Sequence, residues 1–149
     1  MRSPENHIVA ASVVVDTGPI VALLDADDRH HAWAVMQFGR LRPPLLTCES
    51  VLTEASFLIA RVGENVNVVT ALIDRGVLSV KQLFDAESAS ITRLARRYAN
   101  VPMSLADACL VRLVELTPHA TLFTLDSDFE IYRQKGRSVI PLLAPWSSR

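Results

Sequence analysis

Val14-Val15-Asp16-Thr17-Gly18-Pro19-Ile20-Val21-Ala22-Leu23-Leu24-Asp25 is the stretch whose reading decides the fold. Ser12 to Val15 forms a short, largely β-branched run that ends on a carboxylate, Asp16. Thr17-Gly18 then supplies a turn and a helix-capping hydroxyl, and Pro19 suits a first helical turn, where its missing N–H is no loss. A buried strand therefore feeds directly into a helix, predicted over 20–25. An aspartate closing such a strand is half-buried, so it must be hydrogen-bonded, neutralised or bound to a cation. The plainer alternative is that Asp16 only caps the helix that follows.

Outward from that junction, strand and helix signals alternate. A second helix is expected from Asp27 or Asp28 through Trp33 to Phe38, closed off by Pro43 and Pro44. Leu45 to Cys48 reads as a second strand. From Glu49, the residues Val51, Leu52, Ala55, Leu58 and Ile59 recur at helical spacing to about Val62, and Gly63 ends them. A helix over 65–76 ends on Gly76, a third strand follows over 77–83, and Asp85 or Ser88 opens a helix through Tyr98. Met103 or Ser104 starts another, with an apolar face of Leu105, Ala108, Cys109, Leu113 and Leu116, ended by Pro118. A fourth strand is expected over 120–125, a helical turn over 129–135 and a fifth strand over 138–142. This alternation predicts an α/β fold of three layers, α/β/α, with a mostly parallel central sheet of four to five strands. Residues 12–149 form one domain and 1–11 an N-terminal extension. In such sheets ligands bind at the carboxyl ends of the strands, where the winding order reverses.

A chain of 149 residues, 50% hydrophobic and 21% charged, is long enough to bury one core without disulfides. Its hydrophobic lean leaves apolar surface over, which points to a homodimer. No apolar run approaches the roughly 18 residues of a bilayer span, and Met1 to Asn6 lacks the pattern of a signal peptide, so a cytoplasmic location is expected. Cys48 and Cys109 lack CxxC spacing and are read as buried, reduced thiols. A net charge of -1 excludes a broad basic footprint for duplex DNA. Only two of the 15 basic residues are lysines, and arginine suits bidentate phosphate contacts better.

Three more acids stand in apolar surroundings. Glu54 lies among Val51, Leu52, Ala55, Phe57 and Leu58, with a solvated helix face as the alternative. Asp107 falls in the first turn of the helix Ser104-Leu105-Ala106-Asp107, where the helix dipole favours it. In Thr124-Leu125-Asp126-Ser127-Asp128 the hydroxyl and both acids alternate and would project to one side of a continued strand, although turn chemistry alone also favours Asp-Ser-Asp. Acids at the ends of two strands and on two helices form one arrangement. Clustered carboxylates repel one another and RNA, and a hard divalent cation reverses both effects, which points to Mg²⁺ or Mn²⁺.

The opening stretch, with Asp27-Asp28-Arg29-His30-His31 behind it, resembles that of PIN-domain ribonucleases, notably the VapC toxins of bacterial toxin–antitoxin systems. Thr53-Glu54-Ala55, Leu105-Ala106-Asp107-Ala108 and Thr124-Leu125-Asp126-Ser127-Asp128-Phe129 resemble the later family motifs, in order, and the likeness spans roughly Val13 to Leu142. It implies a metal-dependent endoribonuclease with Asp16, Glu54, Asp107 and Asp126 as the catalytic acids and Asp16, Asp107, Asp126 and Asp128 as metal ligands. Thr17 and Thr124 would be polar contacts behind them. It also implies an RNA substrate and a small antitoxin partner. The extension 1–11 departs from the pattern.

Arg93, Arg96 and Arg97 share a helix face that could hold RNA phosphates or simply face solvent. His30 and His31 are read as loop or capping residues, and Trp33, Phe38 and Phe57 as core or interface. Two rival functions remain at this point. A haloacid-dehalogenase-like phosphatase also starts from an aspartate after its first strand, but would need a second one where Gly18 stands. A PIN-like module that binds RNA or protein without catalysis would not need the complete acidic set.

Overall fold

The computed structural model describes residues 12–147. The expected extension 1–11 and the last two residues lie outside the described residues. Five strands form one parallel sheet in the order β3-β2-β1-β4-β7: β1 (Ser12–Val15), β2 (Leu45–Cys48), β3 (Leu78–Lys81), β4 (Ala120–Phe123) and β7 (Leu142–Leu143). Six helices flank it: α1 (Thr17–Leu24), α2 (His31–Arg40), α3 (Glu49–Arg61), α4 (Asn67–Asp74), α5 (Phe84–Arg97) and α6 (Leu105–Leu116). The three-layer α/β/α architecture is the one the alternation implied.

From β1 the chain winds outward to β2 and β3, then returns to lay β4 on the other side of β1, with Val15 opposite Phe123. The winding order thus reverses between β1 and β4, and both strands end on the same edge. Val14, Val15, Leu122 and Phe123 are fully buried there. Trp33 and Phe38 pack against the Phe123 ring at centroid distances of 5.5 and 5.1 Å. Helix α6 is buried nearly all round, from Ala106 to Val111 and again at Leu113 and Val114, which accounts for its almost continuous apolar sequence. Gly63 and Gly76, read as helix terminators, have φ of +88° and +77°, a region open to glycine at little cost.

The differences from expectation are local and have physical causes. Helix α1 begins at Thr17 rather than Ile20, because Asp16 accepts the Thr17 N–H and caps it. Helix α2 begins later than read, at His31, after Asp28 takes up the His30 N–H in a side-chain turn. Asn65 turns the chain in the same way, accepting from Asn67 N–H, so α4 starts at Asn67. The largest departure is at the carboxyl end. A 3-10 turn covers Ser127–Glu130, and the expected helical turn over 129–135 gives way to a strand, β5 (Arg133–Gln134). This pairs antiparallel with β6 (Ser138–Val139) in a hairpin of its own, and the fifth strand of the main sheet is Leu142–Leu143 instead of 138–142.

Candidate active site

A cleft of about 400 Å³ opens at the reversal of the sheet, and Asp16, Thr17, Glu54, Asp107 and Asp126 line it. The sequence places these residues on five different elements or their ends, and the fold brings them together. Gly18 lets α1 approach the end of β4 closely. A Cβ at that position would lie 3.1 Å from Leu125 Cβ, tighter than ordinary contact.

Asp16 is 7% exposed, and both of its oxygens are engaged. Thr17 N–H donates to Oδ1 at 2.7 Å and the Thr124 hydroxyl donates to Oδ2 at 2.8 Å. The same Thr124 oxygen accepts from Asp126 N–H at 2.9 Å, so one hydroxyl ties the ends of β1 and β4 together. Capping, offered as the alternative for Asp16, accounts for one oxygen, and the Thr124 hydroxyl satisfies the other. Burial pushes the Asp16 carboxyl up to about 7, and repulsion from Asp107 and Asp126 adds to it, while the bonds from Thr124 and Thr17 oppose the rise.

Asp107 is the third residue of α6 and half of a capping box. Its N–H donates to Ser104 Oγ at 3.0 Å, and its Oδ2 accepts from Ser104 N–H at 3.2 Å. The hydroxyl of Tyr132, itself fully buried between Tyr98 and Phe129, lies 3.2 Å from the same oxygen and donates to it. Burial raises the Asp107 carboxyl above its ordinary value and the hydrogen bonds partly restore it. The Tyr132 phenol is likewise held protonated by burial and by Asp107.

Glu54 leaves the buried face of α3, whose core residues are Val51, Ala55 and Ile59, and is exposed. It is not free, because the Thr17 hydroxyl donates to its Oε1 at 2.8 Å. Asp126 caps the 3-10 turn, accepting from Asp128 N–H at 2.9 Å through Oδ1. That turn ends the alternation expected of Thr124, Asp126 and Asp128. Asp128 is not among the residues that line the cleft.

The donor set is all hard carboxylate oxygen, with no thiol or imidazole in the cleft, and such oxygens suit Mg²⁺ or Mn²⁺. Asp107 Oδ1, Asp126 Oδ2 and Glu54 Oε2 have no hydrogen-bond partner among the described residues. No three such groups close on a common point at ligand spacing among the described residues. The acids are therefore gathered around one cleft without closing on a single point among the described residues.

The PIN domain family profile matches residues 13–135. This chain belongs to the PIN-domain family. Among solved structures it is similar to VapC20 of Mycobacterium tuberculosis, a sarcin-ricin loop cleaving toxin, with a TM-score of 0.72 and 23% identity over 80% of this chain and 94% of that one. Comparison with the curated proteins finds no match. Membership removes the phosphatase reading, and position 18 carries a glycine where that reading needs a second aspartate.

Away from the cleft of this PIN domain, Arg93 and Arg97 line a separate groove with Arg112 and Lys135, whereas Arg96 does not reach it. His31 Nδ1 lies 2.7 Å from the Ala22 carbonyl, a structural role. Trp33 and Phe38 are core-packed, and Phe57 is exposed beneath Arg61. Cys48 and Cys109 are buried free thiols. Sequence reasoning missed Tyr132. Its only signal is that a tyrosine among apolar residues needs a partner for its hydroxyl when buried.

Proposed function

We propose that this PIN domain is a divalent-metal-dependent endoribonuclease that hydrolyses RNA phosphodiester bonds, and that it is the toxin of a type II toxin–antitoxin pair. The observation that carries the reading is the charge imbalance of the cleft. Buried Asp16 faces Asp107 and Asp126, and no lysine or arginine lines the cleft to balance them.

Asp16, Asp107 and Asp126 would hold Mg²⁺ or Mn²⁺, which supplies Lewis acidity toward the scissile phosphate and the positive charge that lets these acids sit together. The chain's own residues do the rest. Thr124 fixes Asp16 and Asp126 relative to one another, and Thr17 fixes Glu54 relative to Asp16. Glu54, exposed and anchored through one oxygen, presents the other to a water molecule, orients it and accepts its proton during attack. Asp128 contributes its N–H to the orientation of Asp126. No serine or histidine nucleophile is needed.

The solved relative named above is a sarcin-ricin loop cleaving toxin, which supports a structured RNA with an exposed single-stranded loop as the substrate here. Exposed apolar residues, among them Met36, Phe57 and Val62, support a homodimer and a small antitoxin as partners. No helix among the described residues is long and apolar enough to cross a membrane, in keeping with a cytoplasmic toxin.

Purified protein incubated with a hairpin RNA and the matching DNA duplex tests the reading. RNA is expected to be cut at few positions in Mg²⁺ or Mn²⁺ and not in EDTA, with the DNA left intact. RNA binding without cleavage in either metal would replace the nuclease by a PIN-like binding module. Equal cutting of the duplex would overturn the choice of RNA.

A further inference from the structure

Helix α6 carries Asp107 into the acidic cleft and, five residues later, Arg112 into a second depression of about 340 Å³. Five residues are about 7 to 8 Å along a helix axis and more than a third of a turn around it, so the two depressions open on different sides of α6. The second lies between α5, α6 and the turn joining β5 to β6. Its cations are Arg93 and Arg97 from α5, Arg112 from α6 and Lys135 from the turn.

The charges are not equivalent. Arg112 is consumed in a fixed network, with Nε 2.7 Å from Glu87 and Nη1 3.0 Å from Glu115. Glu115 also accepts Lys135 N–H at 2.6 Å, which pins the backbone of the turn but leaves the Lys135 ammonium out of the network. Arg93, Arg97 and Lys135 form no ion pair among the described residues. Four cations against two glutamates leave an excess of positive charge here, in a chain whose net charge is -1. Arg97 is held in place without being neutralised. Its Nη2 donates to the Gly136 carbonyl at 2.7 Å and its guanidinium lies 5.2 Å from the centre of the Tyr98 ring. Most of its five donors remain for a ligand. Leu94 and the arginine stems make the floor apolar.

We infer that this groove is a phosphodiester-binding site for the RNA strand outside the scissile position, in which Arg93, Arg97 and Lys135 contact backbone phosphates. The inference rests on the ribonuclease reading and deepens it. Planar guanidinium forks match phosphate oxygens in pairs and their faces accept a stacked base, a combination suited to single-stranded RNA. The position fits as well. The turn that carries Lys135 follows β5, which begins next to Tyr132, whose hydroxyl holds Asp107, so groove and cleft share helix α6 and neighbouring parts of one segment. RNA repelled by the metal-free acids has a place here to bind.

Fluorescence anisotropy of a labelled single-stranded RNA oligonucleotide, titrated in EDTA over a range of salt, tests this without requiring cleavage. Arg93→Gln/Arg97→Gln is expected to weaken binding about tenfold and to lower the slope of log affinity against log salt by about 1.4, two phosphates' worth. Arg42→Gln/Arg75→Gln, an equal charge change at exposed positions outside the groove, is expected to leave both unchanged. Lys135→Gln, whose side chain makes no hydrogen bond or ion pair among the described residues, lowers the slope by about 0.7 and keeps the test open if the double variant melts early. Unchanged affinity and slope in the groove variants would overturn the site, as would an equal loss in the control pair. Tight binding of a polyglutamate peptide with none of RNA would overturn it in favour of an acidic protein partner. Wild-type protein that binds RNA through the groove but never cleaves it would sink the nuclease reading and leave this one standing.

Discussion

The two depressions on either side of α6 handle charge in opposite ways. In the acidic cleft, like charges are gathered, two of them buried, and only hydroxyls and N–H groups hold those two: Asp16 by Thr17 and Thr124, Asp107 by Ser104 and Tyr132. In the groove, opposite charges are mixed, two glutamates fix Arg112, and the remaining cations stay wet. Desolvated, unbalanced charge is costly and specific, so it serves chemistry. Solvated, partly balanced charge is cheap and salt-sensitive, so it serves association. Substitutions in the cleft should therefore alter the rate at saturating RNA, and those in the groove the concentration needed to reach it.

The largest effect expected is at Asp16. Asp16→Asn keeps the shape and removes the charge, and single-turnover cleavage at saturating RNA should fall by at least about 10³-fold, on the scale of losing an electrostatic anchor of the transition state. A matching loss in Arg97→Gln at saturation would erase the distinction between the two sites.

Next comes stability against pH. The folded Asp16 carboxyl lies at about 7 against an ordinary 3.8, so between those values the folded state holds a proton that the unfolded state has released. Stability from this group therefore falls as pH rises from about 4 to 7 and is flat above, a loss of at most about 4 kcal/mol by linkage. In EDTA, Asp16→Asn should be more stable than wild type at pH 8, and the gap should shrink as pH approaches 5. A gap that widens toward low pH would contradict the burial of an unbalanced carboxylate.

Saturating Mn²⁺ should restore to wild type what charge repulsion costs. A ligand at a hundred times its Kd stabilises the folded state by about 2.7 kcal/mol, visible as a rising melting midpoint, and Asp16→Asn should lose most of that rise. A midpoint insensitive to millimolar Mn²⁺, under conditions where RNA is cut, would mean that metal arrives only with substrate.

The smallest effect distinguishes a positioning residue from packing. Tyr132→Phe removes one hydroxyl and leaves the ring between Tyr98 and Phe129, so it should cost about 1 kcal/mol of stability. It should also raise the Mn²⁺ concentration at half-maximal cleavage severalfold, with RNA affinity in EDTA untouched. Unchanged metal dependence would reduce Tyr132 to a core residue.

What the sequence disclosed follows the range of the interactions. The β1–α1 junction, the strand pattern and the acid at each strand end were legible, because a β-branched run, a capping threonine and a proline act within a few residues. The four acids were found as a set, but their holders were found unevenly. Thr17 and Thr124 stand beside acids and could be read, whereas Tyr132 reaches Asp107 across 25 residues and has no local signature. The carboxyl end was misread for the opposite reason. Strands of two residues have no period to detect, and a hairpin turning on Gly136 at φ +86° looks like any polar loop. The one-sided projection expected of Thr124, Asp126 and Asp128 ends where the Asp126 cap turns the chain. Of the three arginines on one face of α5, two reach the groove, and its remaining cations could not have been grouped without the fold.

The hydrogen bond from Thr124 to Asp16 spans 108 residues, while the one between Ser104 and Asp107 spans three. The second can form as soon as the first turn of α6 does, on the microsecond scale of helix formation. The first must wait until β4 has been synthesised and laid beside β1. During synthesis at about 5 to 20 residues per second, the Ser104–Asp107 pair is therefore available well before Asp16 has its Thr124 partner, while the Tyr132 hydroxyl reaches Asp107 later still. A ribosome-bound intermediate lacking β4 would hold two halves of a cleft that do not yet face each other. On the proposed ribonuclease reading, this order of assembly withholds activity from a nascent chain until β4 is laid beside β1.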